Sequence, residues 1–278
     1  MTNSAAGAAG FHALHQPGRA PLLLVNAWDA ASAKLVEEAG ATAIATSSSA
    51  ISWSLGYPDG NRLPRGLALD ALTRIVAATS LPVTADIETG YAGGGENYHH
   101  SLLGDTIRAV LDAGAVGVNF EDADGGELTN VEEQCRRLAV IRETAATAGV
   151  DLFINARTDT YLSGTYGEDA FEETVRRAEA YLAAGASGIF VPGVTDLHVL
   201  HELARRLPAP LNALAGVGAP SVGELHDAGV RRISIGGNAA KAAYATVFRV
   251  AEEILGDGNW SELAGARSHA EMDALFEN

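Results

Sequence analysis

Cysteine is nearly absent: Cys135 stands alone in 278 residues. One thiol cannot close an intrachain disulfide or build a cysteine metal cluster, and its setting in Glu-Glu-Gln-Cys-Arg-Arg-Leu reads as a helix, so Cys135 is expected to be structural. Aromatic residues are scarce, 6% against 47% hydrophobic, a profile of aliphatic packing between helices and strands rather than of an aromatic-rich β-sandwich core. Positive charge is short as well, with 19 Lys and Arg facing 35 Asp and Glu for a formal net charge of -16. A chain with that balance and no local basic patch repels phosphate backbones and anionic lipid, which excludes nucleic acid and membrane surfaces as expected partners. Much of the acidity belongs to solvated helix faces such as Glu168, Asp169, Glu172 and Glu173. No apolar run approaches the ~18–20 residues that cross a bilayer, and the first ten residues carry no charged region followed by an apolar one, so a cytoplasmic location is expected. No Gly-x-Gly-x-x-Gly follows the first apolar run, against a dinucleotide-binding doubly wound sheet.

What is present is alternation. Short apolar or β-branched runs fall at 21–27, 41–47, 81–87, 115–121, 150–157, 187–192, 210–214 and 231–236, separated by segments of helical period. Several runs are entered through one phrase: Glu38-Ala39-Gly40-Ala41, Asp112-Ala113-Gly114-Ala115, Ala184-Gly185-Ala186 and Asp227-Ala228-Gly229-Val230 each place a glycine where a helix ends. Leu69, Leu72, Ile75 and Val76, and again Leu138, Ile141 and Ala145, share helical faces that can cover a parallel sheet. Eight βα units with short connections predict a (β/α)₈ TIM barrel formed as one domain over residues 1–278. A helix over 238–255 and a further helical tail around 260–276 are more than the barrel needs, and can cap it or pack on a neighbouring subunit.

Barrels of this kind place their chemistry at the C-terminal ends of the strands. There the third run ends in Asp86 and Glu88, the fourth in Glu121 and Asp122, and Asp59 lies in the loop after the second. The two-residue period of a strand turns Asp86 and Glu88 the same way, and unpaired carboxylates at close quarters call for a cation. With oxygen donors alone and no Cys or His at ligand spacing, Mg²⁺ is expected, with Mn²⁺ a substitute. The fifth run ends in Arg157, whose fork suits a substrate carboxylate or pairs with Glu121 or Asp159. Ser47, Ser48 and Ser49 end the second run with hydroxyls that can hold an anion, and Asn212 on the seventh is a possible polar contact.

Five motifs in order, Asn26-Ala27-Trp28-Asp29, Ser47-Ser48-Ser49 with Gly56-Tyr57-Pro58-Asp59, Ala85-Asp86-Ile87-Glu88-Thr89-Gly90-Tyr91, Asn119-Phe120-Glu121-Asp122 and Asn155-Ala156-Arg157-Thr158-Asp159, make the chain resemble the isocitrate lyase/phosphoenolpyruvate mutase superfamily over nearly its whole length. The resemblance implies that Asp86 is the direct metal ligand while Asp59, Glu88 and Glu121 act largely through water. It implies that the metal and Arg157 grip a 2-oxo acid or its enolate, with Ser47, Ser48 and Ser49 on the carboxylate and Arg157 and Asp59 as catalytic candidates. It also implies homodimers or homotetramers that exchange the eighth helix.

The chain departs from that pattern after the fourth run. Lyases of the family carry Lys-Lys-Cys-Gly-His there, whereas this loop reads Asp124-Gly125-Gly126-Glu127-Leu128-Thr129-Asn130, without a thiol, Lys or His. Metal-assisted C–C cleavage of an oxaloacetate-like acid, by decarboxylation or hydrolysis, asks least of such a loop and is the expected reaction. The alternatives are P–C chemistry on carboxyphosphonoenolpyruvate or phosphonopyruvate, a 2-methylisocitrate lyase-like cleavage, a phosphate-ester enzyme cradling its ligand on Gly216-Val217-Gly218 and Ile235-Gly236-Gly237, and a catalytically weak 2-oxo acid binder. The loop itself is expected to be mobile, because adjacent glycines and few apolar side chains give it little anchorage.

Overall fold

The computed structural model describes residues 2–277. After α1 (Thr2–Ala13), β1 (Leu22–Leu24) and β2 (Asn26–Ala27) lead into α2 (Ala30–Glu38), then β3 (Ile44–Thr46) into α3 (Ser48–Ser54) and α4 (Arg65–Ala77). The chain continues through β4 (Val83–Asp86), α5 (His100–Ala113) and β5 (Gly117–Glu121), a small hairpin of β6 (Ala123–Asp124) and β7 (Glu127–Leu128), then α6 (Val131–Thr147). It returns with β8 (Phe153–Arg157), α7 (Ala170–Ala183), β9 (Gly188–Phe190), α8 (Leu197–Arg206), β10 (Leu211–Leu214), α9 (Val222–Asp227) and β11 (Arg232–Ser234), and ends in α10 (Asn238–Gly256) and α11 (His269–Ala274).

Nine parallel segments hydrogen-bond in the order β1-β11-β10-β9-β8-β5-β4-β3-β2. The two ends of that order, β1 and β2, are one strand interrupted at Val25, so the sheet closes on itself as an eight-strand barrel. Each apolar run of the sequence holds one of these strands. The glycines of the repeated phrase, Gly40, Gly114, Gly185 and Gly229, all take positive φ between 93° and 107°, where a Cβ is strained. No helix among the described residues is long and apolar enough to cross a membrane.

One end of the barrel is plugged by α1. Its residues are mostly Ala and Gly, so it shows no amphipathic period, yet Ala8 and Phe11 are fully buried. Phe11 meets Phe153 edge-on at 5.5 Å, and His15 stacks on the same ring at 4.0 Å. Room for these rings comes from glycine on two strands. A Cβ on Gly117 would lie 3.1 Å from Phe11 Cε1 and 2.9 Å from Thr84 Oγ1, and one on Gly188 would lie 3.1 Å from Phe153 Cζ.

Above that floor the barrel interior is polar. Asn155 Nδ2 donates to Asn119 Oδ1 and Asn212 Oδ1, both at 2.9 Å, and Arg232 Nη2 donates to Asn119 Oδ1 at 2.8 Å. Arg232 is fully buried, and its desolvated guanidinium holds its proton less tightly than usual, with a pKa of about 9.

The C-terminal part differs from the rest of the outer ring. Helix α10 buries only Ala240, while Val247, Phe248 and Leu255 stand 65%, 65% and 85% exposed. On the barrel, the outward residues Leu23 and Val25 are left open as well. The tail expected as one helix around 260–276 is instead a short 3₁₀ turn at Ser261–Leu263 and the six-residue α11. Gly265, at positive φ, lies between the two pieces.

Candidate active site

The C-terminal strand ends gather most of the residues singled out in the sequence. Ser47 follows β3 and caps α3, its hydroxyl accepting from Ala50 N at 3.4 Å and lying 3.1 Å from Ser49 Oγ. Ser48 turns toward β4, where its N–H and its hydroxyl both donate to Asp86 Oδ2, at 3.0 and 2.8 Å. Asp86 N in turn donates to Thr46 Oγ1 at 2.8 Å. One carboxylate oxygen of Asp86 is thereby held in place, and no hydrogen bond from the described residues reaches the other, Oδ1.

Beyond Asp86 the chain leaves extended geometry. Asn61, Glu88 and Tyr91 are the only non-glycine residues with positive φ among those described, at 58°, 50° and 53°, and all three border this mouth. Such conformations cost roughly 1–3 kcal/mol each and persist where surrounding contacts hold them. Here Asn61 N donates to Glu88 Oε2, while Asn61 Oδ1 accepts from Thr89 Oγ1 at 3.0 Å and from Thr89 N at 3.4 Å. Glu88 therefore reaches the mouth through a left-handed turn rather than through strand alternation. It is 1% exposed, and its Oε1 is buried with no hydrogen-bond partner among the described residues.

Burial raises these carboxyls and their mutual repulsion adds to it. Glu88 is pushed up to about 7, first by desolvation and then by Asp86 and Asp59. Glu121 is raised well above the usual range, chiefly by desolvation and despite Arg157, and Asp59 is raised by desolvation and by Asp86. The phenol of Tyr91 is held protonated by burial and by the charges of Glu88 and Asp86.

Arg157 is already engaged. Its Nε and Nη2 donate to the two oxygens of Asp159 at 2.6 and 2.7 Å, and Nη1 lies 2.6 Å from Glu121 Oε2. The second hydrogens on Nη1 and Nη2 remain for a ligand, so an end-on contact is open while the Nε–Nη2 fork is taken. Asp122 faces away from the mouth, into a buried set with Tyr181 Oη at 2.7 Å and Arg177 Nη1 at 3.2 Å; its other oxygen accepts from Asp159 N at 3.0 Å. That chain of contacts positions Asp159 and, through it, Arg157.

Asn212 is not brought to the same place. It is fully buried in the barrel interior, with Oδ1 taken by Asn155 and Nδ2 facing Ala213 O and Ser234 Oγ. The loop after β5 is the β6–β7 hairpin, not an unpaired segment, because Gly125 and Gly126 at φ of 61° and 89° form its two-residue turn. Asp124 Oδ2 on that hairpin accepts from Gly95 N at 3.1 Å, a further anchor. Asn61 and Lys241 lie outside the motifs, and Tyr91 closes one of them without a role assigned to it. The turn sequence Pro58-Asp59-Gly60-Asn61 was the available signal for the first.

The donor set suits Mg²⁺. It is oxygen alone, Asp86 keeps one oxygen open, and Glu88 Oε1 is an orphaned buried acceptor. No three His, Cys, Asp or Glu side chains among the described residues are grouped closely enough to hold an ion by themselves, so an ion here would take most of its ligands from water.

The phosphoenolpyruvate phosphomutase family matches residues 11–255. A solved structure from Burkholderia cenocepacia J2315 is 41% identical, with a TM-score of 0.83 over 88% of this chain and 99% of that one. Phosphonopyruvate hydrolase of Variovorax sp. strain Pal2 is 31% identical over 84% of this chain and 82% of its own. A phosphonopyruvate hydrolase solved with oxalate and Mg²⁺ has a TM-score of 0.82 at 26% identity, covering 97% of this chain and 94% of that one. The 2-methylisocitrate lyase of Bacillus subtilis is 29% identical over 69% of this chain and 62% of its own.

Proposed function

Because the chain belongs to the phosphoenolpyruvate phosphomutase family, within a superfamily of enzymes acting on small acids, we propose that it is a Mg²⁺-dependent lyase that cleaves a C–C bond of an oxaloacetate-type 2-oxo acid. The observation that carries this reading is the geometry at Asp86: Ser48 immobilises Oδ2 and leaves Oδ1 open toward raised, partly unsatisfied carboxyls. Asp86 would hold the ion directly, with Glu88, Glu121 and Asp59 around its waters. When bound, Mg²⁺ supplies positive charge where negative charge collects on the 2-oxo oxygen.

The chain's own residues supply the rest. The hydroxyls of Ser47 and Ser49 receive the carboxylate next to the 2-oxo group, Ser48 being committed to Asp86. Arg157, fixed by Asp159 and Glu121, directs its two free N–H groups at the substrate oxygens. Loss of CO₂ breaks the C3–C4 bond and leaves its electron pair in the enolate, which a proton at C3 then quenches to the 2-oxo product. Tyr91, whose phenol is kept protonated by burial and by the charges of Glu88 and Asp86, would supply that proton.

The same reading makes the active form an oligomer. The exposed apolar residues of α10 and the open outer face at Leu23 and Val25 are complementary deficits that a second copy's α10 would fill, in a homodimer or homotetramer.

A second reading, cleavage of a P–C bond, is favoured by the likeness to phosphonopyruvate hydrolase. Assay of the Mg²⁺-loaded protein against oxaloacetate, phosphonopyruvate, 2-methylisocitrate and substituted malates separates the two. The proposal expects CO₂ or a C–C cleavage product from oxaloacetate, and release of phosphate from phosphonopyruvate as the faster reaction would replace it with the second reading.

A further inference from the structure

The chain has two lysines, Lys34 and Lys241, and the fold carries one of them to the mouth. Helix α10 starts directly after β11, so its first turn stands at the C-terminal rim of the barrel. That turn is pressed against α3: a Cβ on Gly237 would lie 2.9 Å from Ser49 Oγ and 3.0 Å from Trp53 Cζ3, a space that only glycine leaves free. One turn later Lys241 is anchored by its N–H to Gly237 O at 3.0 Å, and its Nζ lies 5.8 Å from the centre of the Trp53 ring. The serines, Trp53 and Lys241 thus form one continuous surface.

Lys241 also has no ion-pair or hydrogen-bond partner for Nζ among the described residues, in a mouth otherwise crowded with carboxylates. Arg157 has its fork occupied by Asp159 and its Nη1 by Glu121, and the cations whose charge reaches Asp59 are Arg157 and Lys241. A ligand carrying one carboxylate is served by the serines and Arg157. A second carboxylate, several bonds away, needs another cation on the rim.

We propose that Lys241 is a specificity-determining residue that receives the distal carboxylate of the substrate, so that the site prefers dicarboxylic 2-oxo acids to monocarboxylic ones. A flexible stem ending in a compact charge suits a group whose position varies with chain length. The proposal rests on the 2-oxo acid reading of the site.

Calorimetry on the full chain with Mg²⁺ tests it, using oxalate, which fills only the 2-oxo acid end, and 3,3-difluorooxaloacetate, which adds the distal carboxylate. Lys241→Met should weaken the longer ligand by about tenfold or more, as loss of a charge-assisted contact does, and change oxalate by less than about twofold. Lys241→Arg should restore most of the loss, and Arg62→Met, at an exposed arginine of the neighbouring loop, should bind both ligands as the parent does. Equal effects of Lys241→Met on the two ligands, or none on either, would overturn the proposal while leaving the 2-oxo acid site standing. A parent protein that binds neither ligand would overturn that site and this inference together.

Discussion

Ser48 spends both of its donors on one atom: its backbone N–H and its hydroxyl meet Asp86 Oδ2 at 3.0 and 2.8 Å. A carboxylate held twice through one oxygen cannot rotate to present the other differently, so the direction in which Oδ1 faces the mouth is set by the first residue of α3. On the proposed reading the serine run serves two purposes: Ser48 orients the carboxylate that would hold the ion, and Ser47 and Ser49 would receive the substrate.

Removing the Ser48 hydroxyl should loosen that orientation while sparing the N–H contact. Ser48→Ala is expected to lower Mg²⁺ affinity by about 10-fold, the lower end of what loss of an outer-shell contact to a ligand costs. Titration calorimetry reads it directly, and unchanged affinity would mean that the backbone N–H alone orients Asp86.

The carboxyl of Glu88, with a folded pKa of about 7 against an ordinary 4.5, makes stability depend on pH in a defined sense. A carboxyl raised on folding binds its proton more tightly in the folded state, so its contribution is fully present below about pH 4.5 and is lost as pH rises through 7. The metal-free protein should lose thermal stability across that window, and Glu88→Gln should lose less. The same ionisation must precede metal binding, so Mg²⁺ affinity should fall as pH is lowered through 7. Parallel pH profiles of Tm for parent and Glu88→Gln would contradict the assignment.

Arg157→Lys replaces a planar fork by a point charge, and Asp159 then loses one of its two parallel hydrogen bonds. Binding of oxalate should weaken by about tenfold or more, in line with a lost charge-assisted contact, with a smaller change in Mg²⁺ affinity. A circular dichroism melt accompanies the measurement. A large fall in Tm with oxalate affinity retained would assign Arg157 to the structure of the mouth and not to the ligand.

At the opposite end of the barrel, Gly117→Ala would set a methyl group 2.9 Å from Thr84 Oγ1 and 3.1 Å from both Phe11 Cε1 and the Phe153 carbonyl oxygen. Overpacking of a filled core costs about 1–3 kcal/mol, and chemical denaturation should show a loss of that size with Mg²⁺ affinity of the folded protein unchanged. A neutral substitution would mean that α1 yields easily and is not a fixed plug.

The strands were legible because each is a compact apolar run closed off by a glycine turn, a signal that survives without tertiary context. Residues that end strands, Asp86, Glu121 and Arg157, followed from that register. Glu88 did not follow for the stated reason: it lies past the end of β4 at φ 50°, and only the contact with Asn61 brings it inward. Helix α1 was silent because packing, not periodicity, buries Phe11 and Ala8. The hairpin after β5 was not legible because the adjacent glycines that suggest mobility also form a tight turn. Asn212 looked available at a strand end, but hydrogen bonds across the barrel interior use both ends of its amide. Lys241 has no motif around it, and only the packing of Gly237 on Ser49 and Trp53 shows where it stands.

The central claim is that Asp86 holds a divalent ion on which turnover of a 2-oxo acid depends. The most direct measurement is the rate of oxaloacetate consumption by the parent protein with Mg²⁺, with EDTA, and by Asp86→Ala with Mg²⁺, each corrected for the rate with Mg²⁺ alone. Enzyme-dependent turnover that appears with Mg²⁺ and disappears both with EDTA and in a folded Asp86→Ala protein is the predicted result. Turnover that survives EDTA, or that Asp86→Ala retains at the parent rate, would contradict it.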